Sequence, residues 1–287
     1  MKFFDINKQY LNIKDAVDQS ITEVLERGDF IQGQEVKELE EKLSSYVGNT
    51  CLTVGNGTDA LVIALMSLNL SKQDEVIAPA FTWVSTIESI KLVGAKPVFC
   101  DIDYDTFNLS LQDVKDKITP NTKVILAVSL FGQCAELLEL KQIAKENGII
   151  LIEDAAQSFG AMHHEFLSCS IADISTTSFF PTKPLGCFGD GGAIFTNNED
   201  LLEKVNVISK NGQAGRYNYV DIGVNSRLDT IQAAILLEKL KIKKHESSRK
   251  EKIASLYNSG IENPLVVSPK VEQYNSSVYA LHTLKIK

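Results

Sequence analysis

No stretch of this 287-residue chain approaches the roughly 20 consecutive apolar residues that a membrane helix needs. The opening Met1-Lys-Phe-Phe-Asp-Ile6 lacks the apolar centre of a secretion signal. Positive charge is in the minority, and the net charge of -8 speaks against a nucleic-acid binder, whose footprint is a basic patch. An anionic small ligand stays open, because local groups rather than the total decide its binding. Cysteine is sparse and odd in number, with five at positions 51, 100, 134, 169 and 187 and no C-x-x-C spacing. Free thiols in a reducing compartment follow, and with them a cytoplasmic location. The histidines at 163, 164, 245 and 282 form no i,i+4 pair, so no metal site is expected. There is no internal repeat and no low-complexity segment.

What is present is an alternation. Residues 12–27 and 34–47 read as amphipathic helices, the second with Val36, Leu39, Leu43 and Val47 on one face. Short apolar runs then recur at 51–54, 75–78, 97–101, 123–129, 148–153, 174–179 and 192–196. Helical patterns separate most of them, at 60–66, 82–93, 110–117 and 136–147, and another follows the last run at 198–209. Continuous apolar strands between amphipathic helices imply an α/β fold, with a mostly parallel central sheet covered by helices. After about residue 220 the character changes. A long helix is expected from Thr230 to Ser259, its many lysines (among them Lys239, Lys243 and Lys250) forming a solvated face. The final Val278–Lys287 stretch alternates like an edge strand.

Within this frame Lys183 stands out. It lies in Ser178-Phe-Phe-Pro-Thr-Lys-Pro-Leu-Gly186, where an apolar strand breaks into a turn. Aromatic and proline neighbours draw it partly out of water, and burial lowers an amine's pKa and makes it nucleophilic. The alternative is a snorkelling lysine with a packed stem. Asp154 closes the apolar run before Ala155-Ala-Gln157, in the region where open α/β sheets bind ligands. Its alternative is a helix cap. An amine for a Schiff base and a carboxylate for a pyridinium nitrogen are together what pyridoxal 5'-phosphate requires. Ser178 is a candidate phosphate donor and Gln157 a candidate partner of the ring hydroxyl. Gly55-Asn-Gly-Thr-Asp59 enters a helix, where free N–H groups favour a phosphate; it also reads as an ordinary turn and cap. Trp83, the only tryptophan, suits either ring stacking or an apolar contact. Asn225 and Arg227, in Gly223-Val-Asn-Ser-Arg227, either reach a site, including one in a neighbouring subunit, or cap a loop. Gly189-Asp-Gly-Gly192 reads as turn chemistry.

The order of these signals resembles that of the DegT/DnrJ/EryC1/StrS sugar-nucleotide aminotransferases. Matching stretches include Gly57-Thr-Asp-Ala-Leu61, Gly94-Ala-Lys-Pro-Val-Phe99, Glu153-Asp-Ala-Ala-Gln157, the Lys183 segment, Gly189-Asp-Gly-Gly-Ala193 and Gly223-Val-Asn-Ser-Arg-Leu228. The similarity runs from Phe4-Asp-Ile6 to the chain end. It implies a pyridoxal phosphate-dependent transferase of fold type I, with a large domain over 1–220 and a partial small α/β domain over 221–287. By the same resemblance Lys183 bonds the cofactor and Asp154 holds its ring nitrogen. Gln157 meets the ring hydroxyl and Trp83 stacks on the ring. Gly57, Thr58, Asp59 and Ser178 hold the phosphate. Asn225 comes from the second subunit of a homodimer, with Arg227 beside it facing substrate. Family members with histidine at the lysine position are dehydratases, so the lysine implies transamination. Ser129-Leu-Phe-Gly-Gln-Cys134 resembles one branch, which aminates C3 of UDP-2-acetamido-2-deoxy-3-oxo-glucuronate with L-glutamate for surface polysaccharide synthesis. Another 3- or 4-keto UDP or dTDP sugar, or a non-catalytic shortened member, are the alternatives. Two departures stand out. A glycine usual near Ala161-Met-His-His-Glu165 is absent, and family members normally continue past the equivalent of Lys287.

Overall fold

The apolar runs become strands because they are wrapped on both faces. The computed structural model describes residues 5–287, so Met1–Phe4, read above for a signal segment and for the start of the family resemblance, lie outside the described residues. In chain order the elements begin with α1 (Ile6–Asn12), α2 (Lys14–Arg27), α3 (Gln34–Val47), β1 (Thr50–Val54) and α4 (Gly57–Met66). Then come β2 (Glu75–Pro79), α5 (Ser85–Leu92), β3 (Lys96–Cys100), α6 (Leu111–Lys117), β4 (Thr122–Val128) and α7 (Leu137–Asn147). β5 (Ile150–Asp154) is followed by a small hairpin of β6 (Met162–His163) and β7 (Phe166–Leu167), and by β8 (Ile174–Ser178) and β9 (Gly192–Thr196). α8 (Glu199–Ser209), a second hairpin of β10 (Gln213–Gly215) and β11 (Asn218–Tyr219), α9 (Thr230–Gly260), β12 (Val266–Val267) and β13 (Lys285–Ile286) complete the chain.

Seven strands form one sheet in the order β1-β9-β8-β5-β4-β2-β3. The pairs from β3 to β8 are parallel, and β9 runs against both of its neighbours. Side chains alternate between two layers with the period of two that a strand imposes. Val76, Ala78, Val124 and Leu126 pack with Ala60 and Ile63 of α4 and Ile90 of α5. Ile77, Ile125 and Ala127 point the other way, onto Val114 of α6 and Leu140 of α7. Under β1, β8 and β9 a third cluster joins Leu39 and Leu43 of α3 to Phe159, Phe179, Phe195 and Leu236 of α9. The α/β, mostly parallel architecture expected from the sequence is the one observed.

Three expectations are corrected. The C-terminal stretch is no edge strand over its length: only Lys285–Ile286 pairs, antiparallel to Val266–Val267. Residues before it are held instead by the loop after β4, where Val278 N–H donates to Gly132 O (2.9 Å) and Leu281 N–H to Phe131 O (3.2 Å). The helix expected at 82–93 starts only at Ser85, which leaves Trp83 in the preceding turn. Most consequentially, the α9 lysines do not all line a solvated face. Lys239 and Lys243 are 3% and 6% exposed. The Lys239 ammonium lies 5.1 Å from the Phe188 ring centre. Lys243 lies over Tyr46 and Phe159 (5.2 and 5.4 Å) and donates to the Tyr46 hydroxyl at 3.2 Å. Neither makes an ion pair among the described residues. The first half of α9 lies against the core of α2 and α3, so residues at helical spacing there are enclosed whatever their charge.

Burial pushes the Lys243 amine down from its ordinary 10.5 to about 8. Below pH 8 the folded protein carries a poorly solvated charge. Between about 8 and 10.5 the folded state has released that proton while the unfolded chain still holds it, so this site makes stability rise with pH. Lys243→Met is expected to raise stability near pH 7 by roughly 1–3 kcal/mol and to flatten that rise, as read by urea unfolding across the range.

Candidate active site

Parallel strands deliver their carboxyl ends to one edge, and a cavity of about 480 Å³ opens there. Its walls are the segments that leave those strands. Asn56, Gly57 and Thr58 follow β1, Thr82, Trp83 and Ser85 follow β2, and Val128 and Leu130 lie at the end of β4. Asp154, Ala156 and Gln157 close β5, Ser178, Phe180, Thr182 and Lys183 close β8, and Asp190 precedes β9.

Lys183 is carried by a tight loop. Its N–H donates to Phe180 O at 2.9 Å, and Cys187 N–H returns to Phe179 O at 2.8 Å. Gly186 is required by this return, because a Cβ there would stand 2.5 Å from Phe180 O and 2.7 Å from Pro181 O. Burial lowers the Lys183 amine below its usual range, and the charge of Asp154 opposes that shift. Asp154 shows the mirror effect. Burial raises its carboxyl, while the Ala156 N–H (3.0 Å to Oδ1) and the Lys183 charge pull it down. The two groups face one cavity and perturb each other, the kind of arrangement in which reactive titratable groups are found.

The rest of the lining is set by backbone economy. The Asn56 side chain caps α4 by accepting from Asp59 N–H at 2.8 Å. Gly57 touches the end of β8 so closely that a Cβ would lie 2.6 Å from Ser178 Cβ. The first N–H groups of α4 and the Ser178 hydroxyl therefore share one corner, which suits a phosphate. Gln157 accepts from Phe131 N–H at 2.8 Å, which leaves its amide NH₂ as the remaining hydrogen-bonding group. Trp83 is 71% exposed at the mouth. Beneath the same rim Phe81, Phe107 and Phe131 pack with ring centres 5.4–6.2 Å apart.

Seven of the ten expected site residues line this cavity: Gly57, Thr58, Trp83, Asp154, Gln157, Ser178 and Lys183. Asp59 does not. Its carboxylate accepts from Ser226 Oγ (2.6 Å), which in turn accepts from Gly55 N–H (2.9 Å). Asn225 and Arg227 are exposed and lie outside the cavity, and Arg227 lines a separate hollow of about 320 Å³ with Lys37 and Lys210. Sequence reasoning missed Glu153, which is buried and accepts from Ser129 Oγ (2.9 Å), Ser168 Oγ (2.9 Å) and Cys169 N–H (2.7 Å). It fixes the end of β5 and with it Asp154. A carboxylate inside an apolar strand was the available signal, since such a group survives only when fully hydrogen-bonded.

An amine held down by burial, a buried carboxylate and a glycine-lined helix start are groups that fit pyridoxal phosphate. The comparisons agree. The DegT/DnrJ/EryC1/StrS aminotransferase family model matches residues 11–287. The UDP-2-acetamido-2-deoxy-3-oxo-D-glucuronate aminotransferase of Pseudomonas aeruginosa is 48% identical over 287 residues, covering 100% of this chain and 80% of that protein. A DegT DnrJ EryC1 StrS aminotransferase structure from Brucella abortus superposes with a TM-score of 0.94 at 37% identity, covering 100% of this chain and 79% of that one. The ntda structure from Bacillus subtilis, with bound cofactor PMP, gives 0.93 at 30% identity over 100% and 67%. On a match that spans nearly its whole length, the chain belongs to the DegT/DnrJ/EryC1/StrS aminotransferase family.

Proposed function

We propose that this protein is a pyridoxal phosphate-dependent aminotransferase. It moves an amino group from L-glutamate to C3 of UDP-2-acetamido-2-deoxy-3-oxo-glucuronate, in the cytoplasm, for surface polysaccharide synthesis. The observation that carries the reaction type is the Lys183–Asp154 pair in one cavity. The substrate rests on the 48% identity to the Pseudomonas aeruginosa relative that bears that name. Five free thiols, all buried, support the reducing compartment.

Bound pyridoxal phosphate supplies an aldehyde that receives the amino group and a cationic ring that absorbs electrons. The chain does the remaining work. Lys183 would hold the cofactor through its amine and, with that amine free, would carry the proton between the donor's Cα and the aldehyde carbon C4′. Its lowered amine pKa leaves more of the neutral form for that role. Asp154 keeps the ring nitrogen protonated. A cation beside this desolvated carboxylate restores its charged form. Gln157 would meet the ring hydroxyl and Trp83 would stack on the ring, since both line the cavity. Gly57, Thr58 and Ser178 hold the phosphate through the start of α4. Asp59 acts one step back, fixing Gly55 and Ser226 around that helix start.

Asn225 and Arg227 fit a second copy. The nearby β10–β11 hairpin exposes Tyr217, Tyr219, Val220 and Ile222, an apolar patch that a homodimer would cover and that would carry Asn225 and Arg227 toward the partner's cavity. We also assign 221–287 to a small domain, tied to the large one where Ala233, Leu236 and Leu237 of α9 enter its core.

Borohydride reduction after addition of pyridoxal phosphate, followed by peptide mass analysis, is expected to place the pyridoxyl mass on the Lys183 peptide. An adduct elsewhere, or none, overturns the assignment. Lys183→Ala should lower turnover on the 3-oxo-glucuronate substrate by on the order of 10²–10⁴-fold. A panel of 3- and 4-keto UDP and dTDP sugars with glutamate tests the substrate itself. Ser226→Ala removes a buried hydroxyl between Asp59 and Gly55. It is expected to cost about 1–3 kcal/mol of stability and to weaken cofactor retention while leaving the Lys183 adduct in place.

A further inference from the structure

Outside the cavity, one group of side chains is arranged around something it does not contain. His163, in β6, is 0% exposed. Its Nδ1 lies 2.8 Å from Asn275 Oδ1. The orientation of that amide is fixed by its neighbours. Asn275 Nδ2 donates to Gln133 Oε1 (3.1 Å), which also accepts from Glu272 N–H (2.8 Å). Gln133 is pinned in turn by its own Nε2, which donates to Lys270 O at 3.0 Å. The oxygen of Asn275 therefore faces His163, and Nδ1 must carry the proton. Nε2 of the neutral ring is then a bare lone pair, buried and without a hydrogen-bond partner among the described residues.

That lone pair does not face a donor. It faces Glu139 Oε2 at 3.6 Å. Glu136 stands beside it, and one ligand atom from each of the three residues lies within 4.8 Å of the others. Neither carboxylate is spent elsewhere on the helix. Glu136 precedes α7 without a side-chain cap bond, and its Oε2 accepts only from Tyr274 OH at 3.0 Å. An acceptor pointed at acceptors inside a protein calls for a cation between them. A neutral imidazole whose other nitrogen is locked by an amide oxygen is also the form in which histidine binds metals.

We propose that His163, Glu136 and Glu139 bind one divalent transition-metal ion, best met by zinc, with water completing a four-coordinate site. None of the three lines the Lys183 cavity, so the ion is structural. It ties the start of α7 to the β6–β7 hairpin. Through Asn275 and Tyr274 it also fastens the segment that crosses to the C-terminus. The histidine spacing gave no hint of this, because the ligands come from two elements far apart in the chain.

The test uses the full chain freed of metal by chelation. Calorimetric titration with Zn²⁺ is expected to give one equivalent bound and a higher melting temperature. Co²⁺ should bind at the same site without a thiolate charge-transfer band. Glu139→Gln alters an exposed side chain that makes no other bond, and should weaken binding about tenfold or more. His163→Gln should abolish it, with Glu139→Gln as the safeguard where that variant fails to fold. Absence of binding, unchanged affinity in Glu139→Gln, or a thiolate band that assigns the ion to cysteine would each overturn the proposal. A proton shared between His163 and Glu139 would be the occupant instead.

Discussion

Everything in the cavity depends on two ionisable groups being kept out of water at the same edge of the sheet. Burial raises the Asp154 carboxyl and lowers the Lys183 amine, so each tends toward its neutral form. Their mutual attraction offsets part of that cost and leaves both poised. In the reading proposed above, a cationic ring would complete the arrangement, giving the acid a partner and leaving the amine to exchange protons. Without the desolvation, Lys183 would be an ordinary ammonium and Asp154 an ordinary turn carboxylate accepting from Ala156 N–H.

Holding that pair requires rigidity that comes from elsewhere in the chain. Glu153 anchors the end of β5 with four hydrogen bonds in a fully buried setting. A buried carboxylate with fewer partners would be a liability; with these it fixes the backbone of the next residue, which is Asp154. The close approach of Gly57 to Ser178 does the same for the phosphate corner, and Ser226 clamps Gly55 and Asp59 from the loop after β11. Three distant parts of the sequence thus converge on one ligand-sized volume.

How far the sequence displayed this depends on whether a feature is local. Strands β2, β4 and β5 are apolar runs covered on both faces, so their pattern alone reveals them. Lys183, Asp154 and the Gly57 turn are recognisable because each sits where a strand ends. What stayed hidden needs knowledge of what packs on what. Lys239 and Lys243 look like a solvated face until α2 and α3 are laid against α9. The alternation in 278–287 suggests a strand, but the backbone of 278–281 finds its partners in the loop at 131–132. Asp59 resembles a phosphate ligand and is taken up by Ser226, a residue no local pattern joins to it.

The distribution of charge resolves an apparent conflict between an acidic chain and an anionic ligand. With a net charge of -8, the protein as a whole repels an anion such as the phosphate of the proposed cofactor. Bulk lysine does not compensate, because two lysines of the most basic helix, Lys239 and Lys243, are spent under aromatic rings, away from the cavity. In the reading proposed above, attraction for that phosphate would come from oriented dipoles: the opening N–H groups of α4, and hydroxyls such as Ser178 and Thr58, which line the same cavity. These fixed partial charges act over a few ångströms and need no counter-ion of their own, so the net charge of the surface can be chosen for solubility. On that reading, recognition of the phosphate follows from where β1 stops and α4 starts, not from how many basic residues the chain contains.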